Sequence, residues 1–263
     1  MWSTICGCAK FALKSQMAYR GAFVLGVLAQ GASYTATFVV LWLIARHFGS
    51  LGGWTWPELV LLSGFNVLAY AIGAAFSFVQ MRAVDDLVRT GEFDLALLKP
   101  MSPWAYLAFR GVNPGYLAHL LTATAFLAYA FAAAGIEWSL VRAIYVVLAL
   151  VGGAAIHAAL MSMIGAASVR SVGAGRYFAL YFGFWEVIRY PLNMFPAFVQ
   201  GLLLTVVPLG FVNYLPCALL LGKPLSPLLS AAAWSAPLLG PLMLLTAGWC
   251  WSYSIRHYQS AGG

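Results

Sequence analysis

The chain has 263 residues, 63% of them hydrophobic and 8% charged, with a formal net charge of +7 and a mean hydropathy of +0.87. Soluble domains are about 45–50% apolar and about 25% charged, so the composition excludes a soluble enzyme, a disordered chain and a nucleic-acid-binding domain. The fourteen Lys and Arg are scattered along an apolar chain, which is the distribution that orients a membrane protein.

A bilayer core takes about 20 apolar residues per helix. Residues 21–45, 59–81, 111–136, 143–169, 190–222 and 224–255 are each free of charged side chains. They predict an all-α polytopic membrane protein forming a single transmembrane domain over 1–263. The period-two alternation of a β-barrel is absent. The first stretch exceeds the about 7–15 residues of a cleaved signal. Cys6 and Cys8 form a lone C-x-C with no His or second Cys pair nearby, and with Cys217 and Cys250 they make no secreted disulfide scaffold. No metal site is predicted.

In chain order, the spans are expected near 21–45, 58–81, 112–136, 143–168, 177–199 and 229–254. Thr55-Trp56-Pro57-Glu58 supplies a capping residue, a first-turn proline and an acid at the positive helix end. Ser102-Pro103 and Ser226-Pro227 offer the same kind of start, within the matching pentapeptides Lys99-Pro-Met-Ser-Pro103 and Lys223-Pro-Leu-Ser-Pro227. Ala69, Gly73 and Ser77 on the second span, and Ala154, Ala158, Ser162 and Ala166 on the fourth, recur every four residues. Such stripes let helix backbones approach closely in lipid, within the bundle or at a subunit interface.

Residues 82–99, RAVDDLVRTGEFDLALLK, hold four of the seven acidic residues and form the one dense polar segment. Gly91 suits a helix stop or sharp turn. Glu92 and Asp94 then open a short helix carrying Phe93, Leu95, Leu97 and Leu98, with Lys99 at its end and Pro100 closing it. Its leucines either lie on the membrane surface or plug a groove on a cytoplasmic partner.

Ionisable residues inside a membrane are candidate functional sites by default. Glu186 and Arg189 stand three apart and can pair; with Trp185 they are candidates for a translocation path or outer gate, or else form a structural pair in the bundle. Asn66 and Gln80 are further path candidates, with hydrogen bonding to neighbouring helices as the plainer role. The same plainer role is expected of His119 and His157. Pro191, Pro196, Pro208 and Pro216 break helices, so 177–199 is read as a span with a broken outer end and 200–222 as helices that dip in and return. A seventh span is the rival.

With the N-terminus in the cytoplasm, ten basic residues fall inside and four outside (Arg46, Arg142, Arg189 and Lys223), as the positive-inside rule requires. Trp54, Trp56 and Trp138 are then expected at the outer interface, and Trp104, Trp249 and Trp251 at the inner one.

Arg89-Thr-Gly91-Glu92-Phe-Asp94, followed by Leu97-Leu98-Lys99-Pro100-Met-Ser102-Pro103, resembles the loop after the second span in permease subunits of type-two ABC exporters. The similarity is to the branch usually found with a second, related permease and a separate ATPase. Arg189-Tyr190-Pro191, Pro208-Leu-Gly-Phe-Val-Asn213-Tyr214-Leu-Pro216 and Tyr258-Gln-Ser-Ala-Gly262 resemble that branch's fifth-span end, outer segment and ending. The resemblance implies six spans with both termini cytoplasmic, in a bacterial inner membrane. It implies an interface helix within 1–20, Lys10 and Lys14 included, and re-entrant outer helices over 200–222. It makes 91–100 a coupling helix docked on one of two ATPase subunits, and spans one, two and five the main walls of the path. It favours a heterodimer of permeases and an amphipathic or hydrophobic cargo moved outward. The chain has no G-x-x-x-x-G-K-[ST] pattern, so ATP and Mg belong to the partner.

Two other classes are weaker. A prenyltransferase would use D-D-x-x-D for magnesium and diphosphate, but Asp85-Asp86-Leu-Val-Arg89 ends in Arg and no second acidic motif exists. An ion-coupled transporter would show broken, charged spans in two matching halves; only the fifth span is of that kind.

Overall fold

The computed structural model describes residues 20–110, 116–171 and 175–259. The expected interface helix before residue 20 and the ending beyond Gln259 lie outside these. Among the described residues the fold is all-α. The long helices are α1 (Arg20–Phe48), α2 (Trp56–Arg89), α5 (Tyr116–Ala133), α6 (Leu140–Arg170) and α10 (Pro227–Arg256), and each is long and apolar enough to cross a bilayer. Shorter ones are α3 (Phe93–Leu97), α4 (Pro103–Arg110), α7 (Gly175–Val187), α8 (Ala197–Thr205) and α9 (Tyr214–Leu220).

The helix starts follow the local chemistry. Thr55 N–H donates to Glu58 Oε2 at 2.7 Å, and Pro57 sits in the first turn of α2. Ser139 and Ser226 accept from the backbone N–H of Arg142 (3.2 Å) and Leu229 (3.3 Å), opening α6 and α10. Ser102 Oγ accepts from Ala105 N–H at 3.2 Å, but it opens the separate helix α4 rather than the third span.

The centre of the bundle is α6, with α2 against one side and α10 against another. Lipid provides no hydrophobic drive between helices, so close packing holds them. The two small-residue stripes meet each other: a Cβ on Gly73 would lie 3.0 Å from His157 Cβ and 3.1 Å from Ala158 N. The stripes therefore serve packing inside the chain. Gly152 and Gly240 form the equivalent approach of α6 to α10. α1 docks through Tyr34, Phe38, Leu41 and Ala45 while Leu25, Leu28 and Leu43 face outward.

Three expectations need correction. Helix α2 runs past residue 81 to Arg89, because nothing in 82–89 breaks a helix. Helix α7 stops at Val187 rather than 199. At 1.5 Å per residue its 13 residues reach about 20 Å, short of a hydrocarbon core of about 30 Å. Pro191 accounts for the break, since it disfavours helical backbone at Tyr190. Finally, Trp54 and Trp251 are buried inside the protein and do not belong to an interfacial belt, whereas Trp138 and Trp249 are exposed.

The segment after α7 bends by 79° between Ala197–Thr205 and Leu209–Leu220. Its two ends meet one loop. Asn193 Nδ2 donates to Gly52 O at 2.8 Å, and Lys223 Nζ donates to Gly53 O at 2.9 Å and pairs with Glu58 at 2.7 Å. The chain thus leaves and returns at the same end of the bundle. Asn213, fully buried, donates to Ile188 O at 2.6 Å and Leu62 O at 3.2 Å, tying the returning segment to the end of α7 and to α2.

Candidate functional site

Two regions carry the predicted site residues. The first is the end of α2 and the rod that follows. Thr90 closes α2, its Oγ1 donating to Asp86 O at 3.0 Å. Gly91 then reverses the chain at φ +75°, a conformation that favours glycine. Glu92 sits just before α3, and Asp94 lies in its first turn. One side of α3 faces the protein: Phe93 and Ala96 are buried, with the Phe93 ring 5.1 Å from that of Tyr258 and 6.5 Å from that of Trp251. Val84, Val88, Leu107 and Val169 complete this small core. The other side is free of the protein, with Leu95 61% and Leu98 80% exposed and Leu97 beside them. Glu92, Lys99 and Pro100 are exposed at its two ends, with Lys99 Nζ 5.9 Å from the Tyr106 ring centre. Phe93, predicted to dock, instead anchors the rod, and Ala96 shares that inner face. The i, i+3 spacing of 93 and 96 was the available signal.

The second region follows one face of α2, where Ser63, Asn66, Tyr70, Gly73, Ser77 and Gln80 recur at spacings of three and four. Gln80 is fully buried and bonded on both sides: Nε2 donates to Trp104 O at 2.8 Å, and Oε1 accepts from Ser162 Oγ. Asn66, equally buried, has neither amide atom bonded among the described residues. The plainer expectation of helix-to-helix hydrogen bonding therefore holds for Gln80 and fails for Asn66. His157 accepts or donates at Nδ1 to Tyr181 OH, 2.7 Å away, as its lone position in the bundle suggested. Tyr70 stands 5.3 Å from Trp185 and 6.0 Å from His119, and the His119 ring lies 5.3 Å from Tyr34 and 5.1 Å from Tyr116. Five helices thus contribute to one aromatic and histidine cluster.

Glu186 and Arg189 do pair, at 2.6 Å, and the Arg189 guanidinium lies 4.5 Å over the Trp185 ring. Glu186 is 55% exposed on its side chain, so the pair is not buried in the bundle. It sits where α7 ends, beside the segment that Asn213 secures. Asp86, the second residue of the weak diphosphate motif, is engaged with Arg89 at 3.4 Å. The sequence placed Trp104 and Trp251 at the inner interface and Ser162 in a packing stripe, and foresaw none of the hydrogen bonds that these residues and Asn213 make. Only the small-residue stripe pointed to Ser162, and only the proline-flanked motif to Asn213.

A family model described as ABC-2 family transporter protein matches residues 32–262. The chain belongs to this ABC-2 transporter family. No curated protein and no solved structure matches it. The matched range includes the α3 rod, the polar face of α2 and the Glu186–Arg189 pair, so every candidate site residue lies within the ABC-2 permease region. Membership makes the chain a membrane-embedded, non-catalytic subunit of an ABC transporter that partners an ATPase.

Proposed function

We propose that the chain is one permease of an ATP-driven exporter. It crosses a bacterial cytoplasmic membrane six times with both termini inside, the fifth crossing being α7 together with the turn that follows it. The end carrying Gly53, Glu58 and Lys223 faces out, and α3 faces the cytoplasm. Two ATPase subunits hold ATP and Mg, and α3 is the coupling helix that docks on one of them. A second, related permease completes a heterodimer, with the path between the two chains along α1, α2 and α7. Asn66, Trp185, Glu186 and Arg189 line that path or its outer gate. The cargo is amphipathic or hydrophobic and moves outward.

The observation that supports this reading is the two-sidedness of α3. A five-residue helix has too few hydrogen bonds to persist alone. Here the burial of Phe93 and Ala96 holds it, and the outer leucines remain uncovered. A short rod with exposed leucines, set beside the end of α2, suits insertion into a groove. The test is co-purification of the ATPase with the wild-type chain and with Leu98→Asp, followed by ATPase assay. The wild type is expected to retain the ATPase and Leu98→Asp to release it. Equal retention, or ATP turnover by this chain alone, would refute the assignment.

A further inference from the structure

Four helices meet in one hydrogen-bonded hub directly above the rod. Ser162 of α6 is its centre. Its hydroxyl donates to Gln80 Oε1 of α2 and accepts from Trp104 Nε1 of α4 at 3.1 Å. Gln80 Nε2 closes the ring by donating to Trp104 O at 2.8 Å. The backbone carbonyl of Ser162 also accepts from Trp251 Nε1 of α10 at 2.8 Å. Gln80, Ser162 and Trp251 are fully buried. The Trp251 indole then rests against Phe93, the anchor of α3, at an aromatic contact distance of 6.5 Å.

We propose that this hub is a transmission relay: it makes α2, α4, α6 and α10 move as one body when α3 is pushed, relative to α1 and α7. The proposal rests on the reading of α3 as the ATPase-docking rod. It adds Ser162, Gln80, Trp104 and Trp251 as positioning residues.

The physical case has three parts. Apolar helix contacts resist separation but allow sliding, whereas a closed ring of directional hydrogen bonds fixes register. In a low-dielectric interior each such bond is stronger, and each unmade one is costlier. Second, packing alone does not need these groups, since replacing both partners of a buried polar pair by apolar ones is close to neutral. A polar hub shared by four helices therefore points to specificity of arrangement. Third, the links are continuous from Phe93 through the Trp251 ring and N–H to Ser162, and on to Gln80 and Trp104. Tyr181 of α7 reaches α6 through His157 instead, outside the hub.

The experiment uses the purified complex with its bound ATPase, and compares backbone hydrogen exchange with and without ATP and vanadate. In the wild type, exchange over 24–48 and 175–187 is expected to change with nucleotide. Ser162→Ala and Gln80→Leu should reduce that change at least five-fold while the bound ATPase still hydrolyses ATP. Trp251→Phe removes the N–H link and trims the ring beside Phe93; it should give an intermediate loss of the nucleotide response together with a lower melting temperature. Tyr145→Phe removes an equally buried bond between α6 and α10 away from the hub, and should lower the melting temperature while keeping the full nucleotide response. Wild-type responses in the hub variants, or an equal loss in Tyr145→Phe, would overturn the relay alone. Failure of the wild type to hold any ATPase would overturn the docking reading and the relay with it.

Discussion

The hydroxyl of Tyr145 on α6 donates a 2.6 Å hydrogen bond to the carbonyl of Ala233 on α10. That carbonyl lies four residues before Pro237, one of two prolines inside α10. Proline has no N–H to give it, and lipid has no water to replace the lost bond. A tyrosine on the neighbouring helix supplies the missing donor and fixes the contact between α6 and α10.

Removing that donor leaves a buried carbonyl unsatisfied. Tyr145→Phe is expected to destabilise the protein by about 1–3 kcal/mol, read as a lower melting temperature in detergent. Pro237→Ala restores an N–H at the right position. In the double variant the effect of losing the hydroxyl should shrink markedly, a coupling that a double-mutant cycle measures directly. Additive losses would show that Ala233 O is not the group being satisfied.

The course of the chain between α7 and α10 is open to a direct chemical test. Asn193 and Lys223 bond to Gly52 and Gly53, neighbours in one loop. Single cysteines at 193 and 223, in a background without the four native cysteines, should react with a membrane-impermeant maleimide from the same side. A cysteine at 98 should react from the opposite side. Labelling of 193 and 223 from opposite faces would mean that the segment spans the membrane.

Asn213 holds the end of α7 in the same way that Tyr145 serves α10. Its amide donates to Ile188 O at 2.6 Å, and its own carbonyl accepts from Tyr214 N–H at 2.8 Å. Asn213→Leu keeps the branched shape and loses both, along with the bond to Leu62 O. The expected loss is about 1–3 kcal/mol, together with faster hydrogen exchange around 184–190 and little change in α5. A uniform change across the bundle would argue against a local role.

Helices α2 and α10 were readable because each combines a long charge-free stretch with a capping residue at its start, Thr55 and Ser226, and α6 was readable from its charge-free stretch alone. The position of the rod was readable from Gly91 and Pro100, which stop helices by backbone chemistry alone. What each side of a helix touches was not. Phe93 and Leu98 are both bulky and apolar, and only the presence of Tyr258 and Trp251 beside one of them separates anchor from docking surface. Trp251 read as a belt residue because it lies near a charged helix end, and its burial depends on a partner carbonyl at Ser162, 89 positions away. The stop of α7 was half legible: Pro191 announced a break, but the Asn213 amide that receives the broken end comes from a later segment.

Phe93 and Leu98 lie on opposite sides of α3, so substitutions at the two positions should fail in different ways. Phe93→Ala removes a fully buried ring from the small core formed with Val84, Val88, Leu107 and Trp251. Such truncations cost about 3–5 kcal/mol, and α3 has little else to hold it. The isolated permease should therefore show a lower melting temperature and rapid exchange over 92–98, with the ATPase lost as a consequence. Leu98→Asp alters a side chain that touches little of its own protein. It should leave the stability of the isolated chain within about 0.5 kcal/mol of the wild type, the usual range for surface changes, and still abolish retention of the ATPase. If both variants weaken the isolated chain equally, the outer leucines are packing residues and the docking face lies elsewhere.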